Sequence, residues 1–474
     1  MLRGFQMKIR IPTFSRSLLM VGSSFTIIII GTLIYKLRSE VLLFIAATIM
    51  TIGALRLGYT WQELEEAISQ RIGKTTGVLL LLWGVGMVIG TFMFSGSIPM
   101  IIYYGIKLIK PSFLILSAFV TCLIFSVITG SSWSSAGTIG IAFAGMAQTL
   151  GVPKSITIGA VLAGSIFGDK MSPLSETTNL ASLCSEANIY DHIKSMLWTT
   201  VPPSIIAGVV YFATGIGLGT TNNILPLSTL EMLTSLDNIF KWNILLLLPL
   251  IIILYGSFTK KPAVPTLFIS SLSAIIIGVI FQGFSLRDGF ISAVSGFNIN
   301  MVYNDNIVPE ITKILNRGGM TSMVSVVLIV FCGYTFAAIT SKAGYLDIVL
   351  DPMLNRIKTQ AHLILATLFT MLLMMFATGS AYIGFILVPE MYRKKYIEFK
   401  VAPNVLSRSL EDIGTVTGAL IPWGISAAFY TTTFGIPVFG PEGYAVWTIL
   451  PYLIPIFAII YAFTGIGVYK LTDD

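Results

Sequence analysis

The sequence predicts an all-α polytopic membrane protein made of two similar halves with broken or re-entrant helices, and three observations predict it. Of 474 residues, 55% are hydrophobic and only 11% charged, against roughly 25% charged residues in soluble domains; mean hydropathy is +0.85. Apolar runs follow one another along the chain at about the 20-residue length that carries a helix across a ~30 Å hydrocarbon layer. Thr129-Gly130-Ser131 recurs as Thr378-Gly379-Ser380, each time before an apolar segment, a basic turn and a pair of acidic residues in Ser- and Thr-containing sequence.

Taken in order, 18–35 and 41–52 read as spans. No small-residue cleavage pattern follows the first run, which makes it a membrane helix rather than a removed signal peptide. Segment 61–71 mixes Glu63, Glu65, Glu66 and Arg71 with apolar residues, as a helix lying in the interface does. The span 76–94 carries Gly84, Gly86 and Gly90, which permit close helix contact. Apolar segments 100–108, 112–128, 134–150 and 156–168 follow, the last short for a span, and 196–218 closes the first half.

The second half holds 243–255 and 264–281, a mostly re-entrant or extramembranous stretch at 282–319, then 320–339, 363–377 and 380–388. Glu390, Arg393, Lys394 and Lys395 mark a water-facing turn, followed by 404–417, 414–429 and 446–469. The expected organisation is a cytoplasmic N-terminal segment (1–17), halves at 18–218 and 244–470, and a connection at 219–243. The expected total is 11 to 13 spanning or re-entrant helices.

The net charge of +7 does not point to nucleic acid, because the basic residues form no stripe with interleaved aromatics. An excess of Lys and Arg on the cytoplasmic side accounts for it. Arg3, Lys8, Arg10 and Arg16 precede the first span with no acid among them, placing the N-terminus in the cytoplasm. Cys122, Cys184 and Cys332 are too few and dispersed for a disulfide framework or thiolate site, and His192 and His362 read as interfacial residues. Without a metal-ligand cluster or a nucleophile beside a base, a membrane enzyme is not indicated. A structural scaffold leaves the broken segments unexplained.

The informative stretch is 129–179. Ionisable groups inside a membrane are costly unless they face a polar cavity or a partner, and here Asp169, Lys170 and Glu176 end an apolar run. Asp169 is either a carboxylate that takes a proton or a cation, or the partner of Lys170 at a helix end. Pro173 breaks the helix between Asp169 and Glu176, so a broken segment brings both to one cavity or leaves Glu176 to cap. Ser175, Thr178 and Asn179 offer hard oxygen or amide ligands for a small cation. In the second half Glu411 and Asp412 are adjacent and point in different directions, one toward the ion and the other toward Arg408, with Thr415 adding oxygen. Arg317, in Asn-Arg-Gly-Gly, is either a boundary charge or a gate partner. Paired interrupted segments point to a transporter site between repeats, where helix ends offer carbonyls to cations and N–H groups to anions.

The motifs GSSWSSAGTIGIAFAGMAQTLGVP (130–153), GAVLAGSIFGDKMSPLSETTNLAS (159–182), ILNRGGM (314–320) and PNVLSRSLEDIGTVTGALIPW (403–423) closely resemble the NhaC family of bacterial sodium/proton antiporters, over most of the chain and in the right order. The resemblance implies two inverted repeats with re-entrant hairpins. It also implies secondary transport of Na+ and H+ across the bacterial cytoplasmic (inner) membrane, no cofactor, lipid surroundings and pairing of two copies. It assigns the acidic motif to 168–175; taken with the residues read above, the expected cation ligands are Asp169, Ser175, Thr178, Asn179 and Thr415, with Glu176 and Glu411 or Asp412 assisting. The chain departs from the family pattern at Glu176, where Asp is usual, at Ile413 in place of a Ser, and at Gly424 in place of an Asn. The same family includes exchangers of malate and lactate, so small carboxylates stay open as substrates. For them Lys170, Arg317 or Arg408 supplies the cation.

Overall fold

A computed structural model of the protein describes residues 11–471 apart from 36, 74–75, 219–226, 260, 302–311, 313 and 355. The basic residues Arg3, Lys8 and Arg10, and the start of the connection at 219–243, lie outside the described residues. Among those described the architecture is helical, with two isolated β-bridges, Phe297 to Arg317 and Val401 to Lys470. By length and composition, eight helices among the described residues suffice to cross a membrane. The number is ten when Leu79–Ser95 with Ser97–Leu108, bent by 67°, and Leu230–Ile239 with Ile244–Gly256, bent by 94°, each count as one span. A shorter apolar helix, Leu450–Thr464, adds to these.

Burial grades these helices from rim to centre. Only 28% of the best window of Ile189–Leu218 is buried, against 78% for Pro403–Phe434. In lipid, an outer helix shows apolar side chains outward and small or polar ones inward. Ile189–Leu218 does this, exposing Ile205, Val209, Phe212 and Ile216 while burying Ser195, Thr199, Ser204 and Ala207.

Two close crossings position the site. The helix Lys154–Met171 packs along Pro111–Thr129 through glycines: a Cβ on Gly164 would meet Phe119 O at 2.2 Å, and one on Gly168 would meet Val127 N at 2.3 Å. This brings Asp169 beside the end of the neighbouring helix. The second crossing uses Gly318 and Gly319, with φ of 84° and 82°, conformations that favour glycine. Gly319 N donates to Gly86 O at 2.7 Å, and a Cβ on Gly318 would stand 2.2 Å from Gly90 N. The Asn-Arg-Gly-Gly glycines thus allow backbone to lie on backbone ahead of the turn Met320–Met323.

Three local expectations change. The charged stretch 390–395 is no turn, because the helix Ala381–Glu398 runs straight through it. Lys and Glu sustain helices well, Arg393 and Lys395 reach Glu186 and Glu398 at the surface, and the chain reverses only near Lys400, at φ 52°. His192 is fully buried rather than interfacial, its Nδ1 2.7 Å from Ser407 Oγ, whereas His362 is exposed. The helix expected at 156–168 extends to Met171, so Asp169 and Lys170 occupy its last turn.

Candidate functional site

Two helices are broken by the same pair of backbone conformations. Pro111–Thr129 ends at Gly130, left-handed at φ 67°, ψ 22°, followed by Ser131, extended at φ −146°, ψ 118°. Gln360–Thr378 ends at Gly379, φ 64°, ψ 12°, followed by Ser380, φ −141°, ψ 128°. In both, the glycine N–H closes the last turn on a carbonyl at 2.8 Å, Ser126 O in one and Met375 O in the other, the usual termination by a left-handed residue. The chain restarts at Ser132–Ser135, continuing through the π-helical turn Ala136–Gly140, and at Ala381–Glu398.

Each glycine break rests on a further break. Lys154–Met171 stops before Ser172, Pro173 and Leu174, and Glu176–Cys184 begins after Ser175. A Cβ on Gly130 would stand 2.6 Å from the Leu174 carbonyl carbon. In the other half Pro403–Glu411 gives way to the short turns Gly414–Thr417 and Gly418–Leu420, and Ile425–Phe434 follows Gly424. There a Cβ on Gly379 would meet Gly424 Cα at 3.0 Å, and Ile425 N donates to Gly379 O at 3.1 Å. Gly424 sits at this contact.

Between the two crossings lies a cavity of about 440 Å³, lined among others by Gly130, Ser132, Asp169, Glu176, Gly379 and Thr415. Asp169 accepts from Ser132 Oγ at 2.6 Å on Oδ2 and from Ser175 Oγ at 2.6 Å on Oδ1; Ser175 and Thr177 hydroxyls are 2.9 Å apart. One hydroxyl comes from each broken segment of the first half. A hydroxyl that donates to a carboxylate also carries lone pairs, and rotation of its O–H turns it toward a cation. The same three side chains therefore suit a proton on Asp169 or a small cation beside it. Among the described residues no group of three or more His, Cys, Asp or Glu is arranged to hold a metal.

The other expected ligands divide by role. Thr178 Oγ1 donates to the Asp169 and Lys170 carbonyls, each at 3.1 Å. Asn179 Nδ2 donates to Pro173 O at 2.8 Å and Ser175 O at 2.7 Å. Both brace the backbone of the break. Thr415, on the cavity wall, donates to Glu411 Oε2; Glu411 is fully buried and its Oε1 has no partner among the described residues.

Lys170 does not pair with Asp169. Successive residues on a helix point about 100° apart, and Lys170 turns away from the cavity to Asp412, Nζ to Oδ1 at 2.7 Å, both side chains without exposure. Thr199 Oγ1 donates to the same oxygen at 2.7 Å. Arg408 Nε lies 3.8 Å from Asp412 Oδ2, and its Nη1 donates to Gly467 O at 2.7 Å. The structure brings Asp169 and Glu176 to the cavity and sets Glu411 and Asp412 behind its wall. Arg317 Nη1 donates to Thr433 O at 3.3 Å, and Lys154 Nζ to Phe434 O at 2.5 Å, two cations at a helix C-terminus where the macrodipole favours them. Trp133 packs on Phe429 at 5.5 Å, and Trp423 Nε1 donates to Phe376 O at 2.9 Å.

Sequence reasoning did not single out Ser132, Tyr382 or Thr199. Ser132 had a signal, since it directly follows the repeated tripeptide. Tyr382, whose OH donates to Glu176 Oε2 at 3.2 Å, and Thr199 carried none, because their partners are remote in sequence.

Discontinuous helices that cross at a small polar cavity, with a carboxylate at the crossing, define a secondary transporter. The chain belongs to the Na+/H+ antiporter family, whose model matches residues 7–178 and 164–466. It is 38% identical over 442 residues to an uncharacterized Na+/H+ antiporter of Haemophilus influenzae, covering 93% of this chain and 94% of that one. It is 32% identical over 459 residues to the Na+/H+ antiporter NhaC of Alkalihalophilus pseudofirmus, covering 97% of each chain. It is also 31% identical over 458 residues to a malate-2H+/Na+-lactate antiporter of Bacillus subtilis, covering 96% of each. The protein is a multi-pass protein of the cytoplasmic membrane.

Proposed function

We propose that the protein exchanges Na+ for H+ by alternate occupancy of Asp169. The observation that carries this is the carboxylate held by Ser132 and Ser175, 2.6 Å on either side, in a cavity between crossed helix breaks. A proton and a sodium ion each neutralise the one negative charge, and either one removes the reason for the other to bind. Glu176 escorts the ion from the cavity mouth, and Glu411, reached through Thr415, adjusts the charge behind the wall. Asp412 stays locked to Lys170 and joins the two halves. The halves act as two inverted repeats, and a rigid movement of one against the other presents Asp169 to the opposite side. If more than one proton moves per sodium, membrane potential also drives the cycle. No covalent step and no resident cofactor enter this scheme.

Sodium jumps imposed on proteoliposomes carrying a pH-sensitive dye test it. Wild type should move protons against sodium, and Asp169→Asn should reduce this to the level of empty vesicles. Unchanged sodium-dependent proton flux in that variant would remove Asp169 from the centre.

A second reading, exchange of small carboxylates, has one observation in its favour: Lys261 lines the same cavity and offers a cation that Lys170 and Arg408, turned onto Asp412, do not. Counterflow of labelled malate or lactate under imposed sodium and proton gradients decides between the readings.

A further inference from the structure

Beside the ion cavity lies a larger one, about 860 Å³, walled by the amphipathic helix Trp61–Gly73, by Tyr334 and Lys342, and by the start of the helix Ala381–Glu398. Its polar lining includes Glu63, Glu66, Gln70 and Arg71. Part of this polarity is committed: Glu63 closes a capping box with Thr60, Oε2 accepting from Thr60 N at 2.7 Å, and Arg71 Nη1 donates to Ala337 O at 2.9 Å. What remains is a net acidic space on the side where Trp61–Gly73 lies.

The two cavities share five wall residues, Leu81, Glu176, Pro262, Ala263 and Tyr382. Only two of these have polar side chains, and they are bonded to each other, Tyr382 OH to Glu176 Oε2 at 3.2 Å. Glu176 is the first residue after the break at 172–175, and Tyr382 follows the break at Gly379 and Ser380. The bond therefore ties a broken segment of one half to a broken segment of the other, across the partition between vestibule and ion cavity.

We propose that Glu176 and Tyr382 form the gate of the transport path, and that Tyr382 is a positioning residue of the exchange. With the bond made, the phenol closes the partition and holds Glu176 away from incoming ions. A sodium ion arriving from the vestibule competes with the hydroxyl for the carboxylate, since charged Glu176 offers the same oxygen lone pairs to either. Releasing the phenol opens the way to Asp169. The bond joins segments of both halves, so it also breaks when they move apart. This rests on the sodium/proton reading above, and its test is separable from that reading.

The test places a cysteine at Ser426, which lines the inner cavity, in a full-length background with Cys122, Cys184 and Cys332 replaced. A positively charged, membrane-impermeant methanethiosulfonate is applied to the face that bears Trp61–Gly73. With Tyr382 present, modification of S426C should be slow and accelerated by sodium. In Tyr382→Phe, which removes only the hydroxyl, it should be faster by about tenfold, the worth of one hydrogen bond to a charged group, and largely indifferent to sodium. Tyr382→Phe should also lower the protons moved per sodium more than it changes the KM for sodium, because a leaky partition uncouples the two fluxes rather than weakening binding. Equal modification rates in both backgrounds, with sodium-dependent proton flux intact in the parent, would overturn the gate and leave the antiport reading standing. Absence of that flux in the parent would instead strike the antiport reading.

Discussion

After Gly130 and Ser131 the chain places Ser132, whose hydroxyl reaches Asp169 at 2.6 Å; after Gly379 and Ser380 it places Ala381, which has no hydroxyl to give. The backbone at the two breaks agrees within about 10° in every dihedral, yet the acids nearby behave oppositely. Asp169 faces the cavity between hydroxyls, while Asp412 is sealed behind it by Lys170, Thr199 and Arg408. A shared break geometry builds the framework on both sides, and the side chain one place further on differs: a hydroxyl on Asp169 in the first half, none in the second. The second half instead supplies Asp412 to a fixed ion pair with Lys170 that pins the helix Lys154–Met171 to the end of the helix Pro403–Glu411.

The largest effect that sharpens this contrast concerns Asp412. Asp412→Asn leaves Lys170 buried without its counter-charge, and removing one partner of a buried pair costs about 3 to 5 kcal/mol. The variant should melt much earlier in detergent and yield little monodisperse protein, whereas Asp169→Asn should melt close to wild type and lose only exchange. The double variant Lys170→Met with Asp412→Leu replaces the pair by apolar side chains and should recover most of the stability. Thermal unfolding followed by intrinsic fluorescence measures all three. A soundly folded D412N protein that has lost exchange would instead make Asp412 part of the ion path.

How far the sequence reached is visible in these same residues. The break at Gly130 and its counterpart at Gly379 were legible because a Thr-Gly-Ser tripeptide interrupts an apolar run twice, and the break near 173 because proline cannot continue a helix. Asp169 was legible from the cost of a charge at the end of an apolar segment. The partner of Lys170 was not, since Asp412 lies 242 residues away and only packing chooses it. For Glu411 and Asp412, adjacency said that they diverge and could not say where each goes. The extension of Ala381–Glu398 through its charged stretch escaped notice because a helix emerging into water and a turn have similar composition.

Glycine offers the next comparison, within the first half. Gly130 and Gly151 share φ of 67°, but a Cβ on Gly130 would meet the Leu174 carbonyl carbon at 2.6 Å and one on Gly151 meets nothing within 4 Å. Gly151→Ala should thus register the left-handed conformation alone, about 1 to 2 kcal/mol. Gly130→Ala adds a backbone clash that pushes the two broken segments apart, and it should cost more stability and abolish sodium-driven flux as well. Melting temperatures and exchange rates of the two variants together measure what the crossing contributes; equal losses would mean that the contact between breaks yields without consequence.

The finest test swaps the side chains that distinguish the halves. Ser132→Ala deletes one oxygen beside Asp169 and leaves Ser175, so the carboxylate keeps half of its hydroxyl support. A neutral oxygen lost from a cation site, or a hydrogen bond lost from a carboxylate, weakens binding by about 1 to 2 kcal/mol, which predicts a rise of roughly five- to thirtyfold in the KM for sodium. Ala381→Ser introduces the equivalent oxygen in the second half, on the wall of the same cavity but beside no cavity-facing carboxylate of its own half, and should leave the KM within about twofold of wild type. Asymmetry of this kind follows only if the cation is held from the first half. Should Ala381→Ser lower the KM substantially, the ion would be coordinated from both breaks at once, and the second half would be a ligand as well as a frame.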